Sequence, residues 1–123
     1  MLPKMKVLIV DDDLDMRRGL NARLKATNYD TAFAGDAVSA VSVALKERPD
    51  LILLDIGLPG GDGFPVMQRL QRLASLDAVP IIIVSAREPS THETKAIAAG
   101  AVGYFQKPVD IDKLLSAIAN ALF

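Results

Sequence analysis

The 123-residue sequence contains no cysteine and no tryptophan, and it has a single histidine. The absence of cysteine excludes disulfide bonds, zinc sites built from thiolates and a cysteine nucleophile. No apolar run approaches the roughly 20 residues that a membrane-spanning helix needs. The 14 basic and 15 acidic residues nearly balance, whereas a domain that binds DNA phosphates normally carries a basic excess. We therefore expect one cytoplasmic domain over residues 1–123 that binds neither nucleic acid nor membranes directly.

Three short aliphatic runs stand out, at residues 7–10, 51–54 and 81–84. Nearly continuous runs of this length are typical of strands that are buried on both faces of a parallel sheet. Weaker strand candidates lie at 29–34 and 102–105, and segments with helical spacing of apolar residues alternate with the five strands. This alternation predicts the α/β class, with a doubly wound (βα)5 flavodoxin-like fold and a five-stranded parallel sheet in the order 2-1-3-4-5.

The helix predicted between the fourth and fifth strands has the weakest apolar pattern. Ile97 is the only large aliphatic side chain between residues 88 and 100, so we expect it to anchor a loosely held helix. Ser90 is a candidate N-cap for this helix, and Gly100 is a candidate for the residue that ends it.

Polar side chains follow the predicted strands, at the edge where the carboxyl ends of parallel strands meet. Asp11 and Asp12 follow the first strand, Asp55 follows the third, Ser85 follows the fourth, and Lys107 comes just after the fifth. Adjacent carboxylates repel one another, so this arrangement costs stability unless a cation lies among them. The oxygen-rich set suits Mg²⁺, and a lysine and a hydroxyl can bind phosphate oxygens. The combination predicts phosphoryl transfer, in which a carboxylate can act as the nucleophile and form an aspartyl phosphate.

Four motifs in this order resemble the receiver domain of two-component response regulators, including the chemotaxis regulators. They are Val-Leu-Ile-Val-Asp-Asp-Asp at 7–13, Leu-Leu-Asp-Ile-Gly-Leu-Pro-Gly-Gly-Asp-Gly at 53–63, Ile-Val-Ser-Ala at 83–86 and Lys-Pro at 107–108. The resemblance implies a phosphoprotein of a phosphorelay, to which a sensor histidine kinase or a histidine phosphotransfer protein donates a phosphoryl group with the help of Mg²⁺. It implies no enzymatic activity beyond self-phosphorylation and self-dephosphorylation.

The resemblance also implies a role for each matching residue around the acceptor. Asp55 corresponds to the phosphoacceptor, which becomes an aspartyl phosphate. The same residue is also one of the metal ligands. Asp12 corresponds to the direct Mg²⁺ ligand and Asp11 to the second acid, which often holds the metal through water. The backbone carbonyl of Gly57 corresponds to the remaining protein ligand. Gly57 departs from the common pattern because it lacks a side chain, and the long cationic Arg87 is a second departure beside the phosphoryl site.

Three further residues correspond to the family's switch. Ser85 matches the hydroxyl that binds the phosphoryl group, Lys107 matches the lysine that pairs with it, and Tyr104 matches the aromatic residue that turns inward on phosphorylation. The resemblance implies a cis peptide bond between Lys107 and Pro108, which is plausible because proline follows. The output surface would be formed by helix 4, strand 5 and helix 5, and it would bind a target protein or a second copy of the chain.

Two other functions remain open at this point. One is a small phosphatase of the haloacid-dehalogenase type that uses Asp11 and Asp13, an acidic pair with the spacing D-x-D directly after a strand. The length is short for such an enzyme, and it would give Asp55 no role. The other is a receiver-like binding module that is never phosphorylated, although modules of that kind usually lack one of the site residues.

Overall fold

Five strands and five helices alternate along residues 4–58 and 63–123, the part of the chain that the computed structural model describes. The strands are β1 (Lys6–Val10), β2 (Asp30–Ala34), β3 (Leu51–Leu54), β4 (Ile81–Ser85) and β5 (Gly103–Gln106). The helices are α1 (Leu14–Ala26), α2 (Ala37–Glu47), α3 (Gly63–Arg72), α4 (Pro89–Ala98) and α5 (Ile111–Leu122). No helix in these residues is long and apolar enough to cross a membrane.

The strands form one parallel sheet in the order β2-β1-β3-β4-β5, which confirms the predicted topology. The order reverses direction at β1, because the chain runs from β1 to one neighbour, β2, and later returns to the other neighbour, β3. Val10 at the end of β1 pairs with Leu54 at the end of β3. The residues that follow these two strands are therefore neighbours at the topological switch point, where ligands bind in folds of this type.

The aliphatic strands divide their side chains between two cores, one on each face of the sheet. In β1, for example, Leu8 and Val10 belong to the core under α2, α3 and α4, whereas Val7 and Ile9 belong to the core under α1 and α5. Successive residues of a strand point to opposite faces, so only a continuous aliphatic run can fill both cores. The doubly covered sheet provides a rigid support for the loops at its carboxyl edge.

Helix α4 differs from the prediction in two ways. Glu88, not Ser90, is its N-cap residue, because Pro89 occupies the first turn, where its fixed φ and missing N–H are tolerated. Ile97 does not anchor the helix either, since it is 46% exposed and the small Ala96 is the buried residue. Gly100 follows the helix with a φ of +109°, a left-handed conformation that glycine adopts without strain, as the sequence predicts.

Candidate functional site

Three carboxylates meet at the carboxyl edge of the sheet. Asp11 and Asp12 follow β1 and Asp55 follows β3, and each offers an oxygen that lies within 4.8 Å of those of the other two. Asp11 is 2% exposed and Asp55 is 7% exposed, whereas Asp12 is exposed to solvent. The sheet fixes the two buried acids, because the Asp11 N–H donates to the Ala34 carbonyl and the Asp55 N–H donates to the Val10 carbonyl, both at 2.9 Å. The predicted acidic cluster is thus brought together.

Each buried carboxylate has one oxygen held by the backbone of the loop that follows it. The Asp13 N–H donates to Asp11 Oδ1 at 2.9 Å, and the Gly57 N–H donates to Asp55 Oδ1 at 2.8 Å. The other oxygen of each carboxylate faces Lys107. These contacts orient both carboxylates toward the same space above the sheet.

Lys107 places a cation between the two buried acids. Its Nζ lies 2.8 Å from Asp11 Oδ2 and 3.1 Å from Asp55 Oδ2. The Lys107 N–H donates to the Ser85 carbonyl at 2.8 Å, which ties the end of β5 to the end of β4. The Lys107–Pro108 peptide bond that follows is cis. The lysine therefore neutralises part of the like-charge repulsion that the sequence predicts for this edge.

Burial and pairing act in opposite directions on the ionisation of these groups. Burial raises the pKa of the Asp11 carboxyl, and hydrogen bonds from Lys107 and the Asp13 N–H only partly counter this. Burial alone would lower the pKa of Lys107, but the hydrogen bonds and charges of Asp11 and Asp55 outweigh it and raise that pKa. The ammonium form of Lys107 is therefore favoured, and the charged form of Asp11 is disfavoured unless more positive charge is supplied.

Ser85 and Tyr104 meet at the loop between β4 and α4. Ser85 is buried, and its Oγ accepts a hydrogen bond from the Arg87 N–H at 3.1 Å. The half-buried Tyr104 donates its hydroxyl to the Arg87 carbonyl at 2.8 Å, and burial raises its pKa. Tyr104 therefore contacts this loop through the Arg87 carbonyl.

Gly57 leaves space at the mouth of the site, and Arg87 faces that space. A Cβ at position 57 would lie 3.4 Å from Asp55 Oδ1 and 3.9 Å from Arg87 Nε. A side chain at this position would therefore contact both the Asp55 carboxylate and the Arg87 side chain.

Asp13 is not part of the acidic cluster. Its carboxylate accepts a hydrogen bond from the Met16 N–H at 3.1 Å and caps α1, and it is exposed. The pairing of Asp11 with Asp13 that a haloacid-dehalogenase-like phosphatase would use is not what the fold forms. Asp11 instead lies close to Asp55, because these residues follow β1 and β3, which are adjacent parallel strands.

Comparisons with known proteins agree on one family. The family model described as response regulator receiver domain matches residues 7–119. The chain is 35% identical over 117 residues to sporulation initiation phosphotransferase F of Bacillus subtilis, covering 95% of this chain and 93% of that protein. It is 33% identical over 118 residues to response regulator MprA of Mycobacterium leprae, covering 96% of this chain and 51% of that protein. The chain thus spans about half the length of several curated relatives that it matches.

The fold is also similar to solved structures. A putative response regulator from Chloroflexus aurantiacus superposes with a TM-score of 0.91 at 28% identity, covering 98% of each chain. The family match does not favour the phosphatase alternative. It covers all five strands except Lys6, the first residue of β1, and it covers most of α5.

Proposed function

This chain belongs to the response regulator receiver domain family, and from that premise we propose that Asp55 accepts a phosphoryl group. The observation that carries the proposal is the placement of Asp55 beside Asp11, Asp12 and the Lys107 ammonium at the switch point of the sheet. The donor is a sensor histidine kinase or a histidine phosphotransfer protein. The domain catalyses only its own phosphorylation and the later hydrolysis of the phosphoryl group.

The transfer is a displacement at phosphorus. A carboxylate oxygen of Asp55 forms a bond to the phosphorus, and the bond between phosphorus and the imidazole nitrogen of the donor breaks. The electron pair of that bond stays with the imidazole. The Lys107 ammonium, which contacts Asp55 in the free chain, remains beside the acceptor and attracts the phosphoryl oxygens. The product is an aspartyl phosphate. Water then attacks its phosphorus, the bond to the Asp55 oxygen breaks, and inorganic phosphate and the free carboxylate are released.

The donor set around Asp55 fits Mg²⁺. All three clustered side chains are carboxylates, and oxygen ligands are those that Mg²⁺ prefers. Asp11, Asp12, Asp55 and the backbone carbonyl of Gly57 would hold the ion. A bound Mg²⁺ supplies positive charge that stabilises the transferring phosphoryl oxygens.

The switch surface is formed by α4, β5 and α5. After transfer, the Ser85 hydroxyl and the Lys107 ammonium bind phosphoryl oxygens. Ser85 then no longer accepts the hydrogen bond from the Arg87 N–H, so the loop at Arg87 moves. Tyr104 moves with this loop, because its hydroxyl donates to the Arg87 carbonyl. On the outside, Val102 is 56% exposed and shares a groove of about 290 Å³ with Ala117, Asn120 and Ala121. A target protein or a second copy of the chain binds this surface according to the phosphorylation state.

The proposal is tested by phosphorylation with a small phosphodonor and Mg²⁺, followed by intact-mass measurement. The wild-type chain should gain one phosphoryl group, and Asp55→Asn should gain none while it keeps its circular dichroism spectrum. Asp13→Asn is the matched control, because asparagine also caps a helix and should leave labelling unchanged. Full labelling of Asp55→Asn would contradict the assignment, and loss of labelling in Asp13→Asn would revive the phosphatase alternative.

A further inference from the structure

Helix α4 is connected to α3 by a contact that the sequence does not indicate. Ala96 is the only buried residue of α4, so apolar packing holds this helix weakly. The Lys95 ammonium of α4, however, lies 4.3 Å from the centre of the Phe64 ring of α3. A cation at this distance over an aromatic face is attracted by the ring's negative face. Lys95 and Phe64 together form what we call the α3–α4 pair.

Phe64 is in turn held next to the loop that carries Asp55, directly after β3. It is 5% exposed and follows Gly63, whose N–H donates to the Ile56 carbonyl at 2.9 Å. A Cβ at Gly63 would lie only 2.4 Å from Ile56 Cα and 2.9 Å from the Asp55 carbonyl oxygen. The first residue of α3 therefore rests directly on the backbone of the acceptor. A shift of that backbone must move Gly63, because close-packed atoms leave it no free space.

We propose that the α3–α4 pair is a second connection through which phosphorylation of Asp55 changes the position of α4. The path runs from the Asp55–Ile56 backbone through Gly63 to Phe64 and then to the Lys95 ammonium. It is separate from the path through Ser85 and Tyr104, which reaches α4 at its other end through the loop at Arg87. The inference rests on the proposed function, because it requires that Asp55 is phosphorylated.

The α3–α4 pair is strong enough to change the conformational equilibrium of a weakly held helix. A local element with little buried surface opens and closes readily, so a small change in its contacts shifts its population measurably. The cation–π pair contributes a factor of about two to five to the closed population of α4, as is typical of such pairs at exposed sites. The pair thus has the strength to alter the equilibrium without locking the helix.

The test compares amide hydrogen exchange of α4 before and after phosphorylation by a small phosphodonor with Mg²⁺. The Ser85→Ala background removes the hydroxyl path, and Lys95→Met removes the cation while it keeps an unbranched side chain. In the unphosphorylated chain, Lys95→Met should speed α4 exchange about two- to five-fold. In the Ser85→Ala background, phosphorylation should still change α4 exchange, and adding Lys95→Met should abolish that remaining change. Lys95→Arg should preserve it, since arginine also binds aromatic faces.

The controls separate this inference from the proposed function. Lys113→Met removes the same charge from an exposed position of α5 and should leave α4 exchange unaltered. Intact mass measured on the same samples gives the phosphorylated fraction, so absence of the mass gain in the wild-type chain defeats the proposed function. Two results obtained with normal phosphorylation would exclude the second connection. In one, Ser85→Ala alone abolishes the change in α4 exchange that phosphorylation causes. In the other, the change that remains in Ser85→Ala is still present when Lys95→Met is added.

Discussion

Replacement of Lys107 by methionine should destabilise the metal-free chain, because it leaves the buried carboxylates of Asp11 and Asp55 without their cationic partner. Asp11 and Asp55 are 2% and 7% exposed, and the Lys107 ammonium is within 3.1 Å of both. Removing one partner of a buried ion pair costs about 3–5 kcal/mol. The Lys107 side chain is 18% exposed, so water reaches the site and we expect the lower end, about 3 kcal/mol at neutral pH.

The loss should depend on pH in a defined direction. The pKa of Asp11 is already raised by burial, and removal of the Lys107 ammonium raises it further. A raised carboxyl pKa means that the folded chain binds a proton more tightly than the unfolded chain does, so stability increases as pH falls through the folded-state pKa. The destabilisation by Lys107→Met should therefore be largest at neutral pH. It should shrink as the pH is lowered toward 3.8, which is the ordinary pKa of an Asp side chain.

The measurement is the free energy of unfolding in urea, an uncharged denaturant, at neutral and at acidic pH. Mg²⁺ should recover part of the loss at neutral pH, because an ion that binds only the folded chain stabilises it. Lys113→Met is the control for the loss of one positive charge from an exposed helix position. Equal stability of Lys107→Met and the wild-type chain at neutral pH without Mg²⁺, or an equal loss at both pH values, would refute the reasoning.

Two further predictions concern the metal and the output surface. Asp12→Ala should abolish the rise in melting temperature that Mg²⁺ causes in the wild-type chain. It should also raise the melting temperature without metal, because it relieves like-charge repulsion. An undiminished Mg²⁺ response would contradict the ligand role of Asp12. Val102→Arg and Ala121→Arg should weaken phosphorylation-dependent association, measured by sedimentation, while Asp55 phosphorylation proceeds at the wild-type rate, and unchanged association of both variants argues against this surface.

The sequence alone determined the order of strands and helices and the position of the acids. A run such as Leu-Ile-Leu-Leu at 51–54 can be satisfied only where both faces are covered, so it indicates a central parallel strand without knowledge of its neighbours. Once the strands are known, Asp11 and Asp55 must lie at one edge, because parallel strands end together. Side-chain alternation and chain direction are local properties, and the sequence therefore carries them directly.

Only the tertiary structure decided which groups touch across long separations. Lys107 reaches Asp55 from 52 positions away, and its distance to each carboxylate depends on how β5 and its following loop pack beside β4. The burial of Ala96 rather than Ile97, and the placement of Lys95 over Phe64, depend on the rotation of α4 about its axis. A short helix with no strong apolar stripe does not encode that rotation. Packing against neighbouring elements sets it, and the Lys95–Phe64 contact is one of the contacts involved.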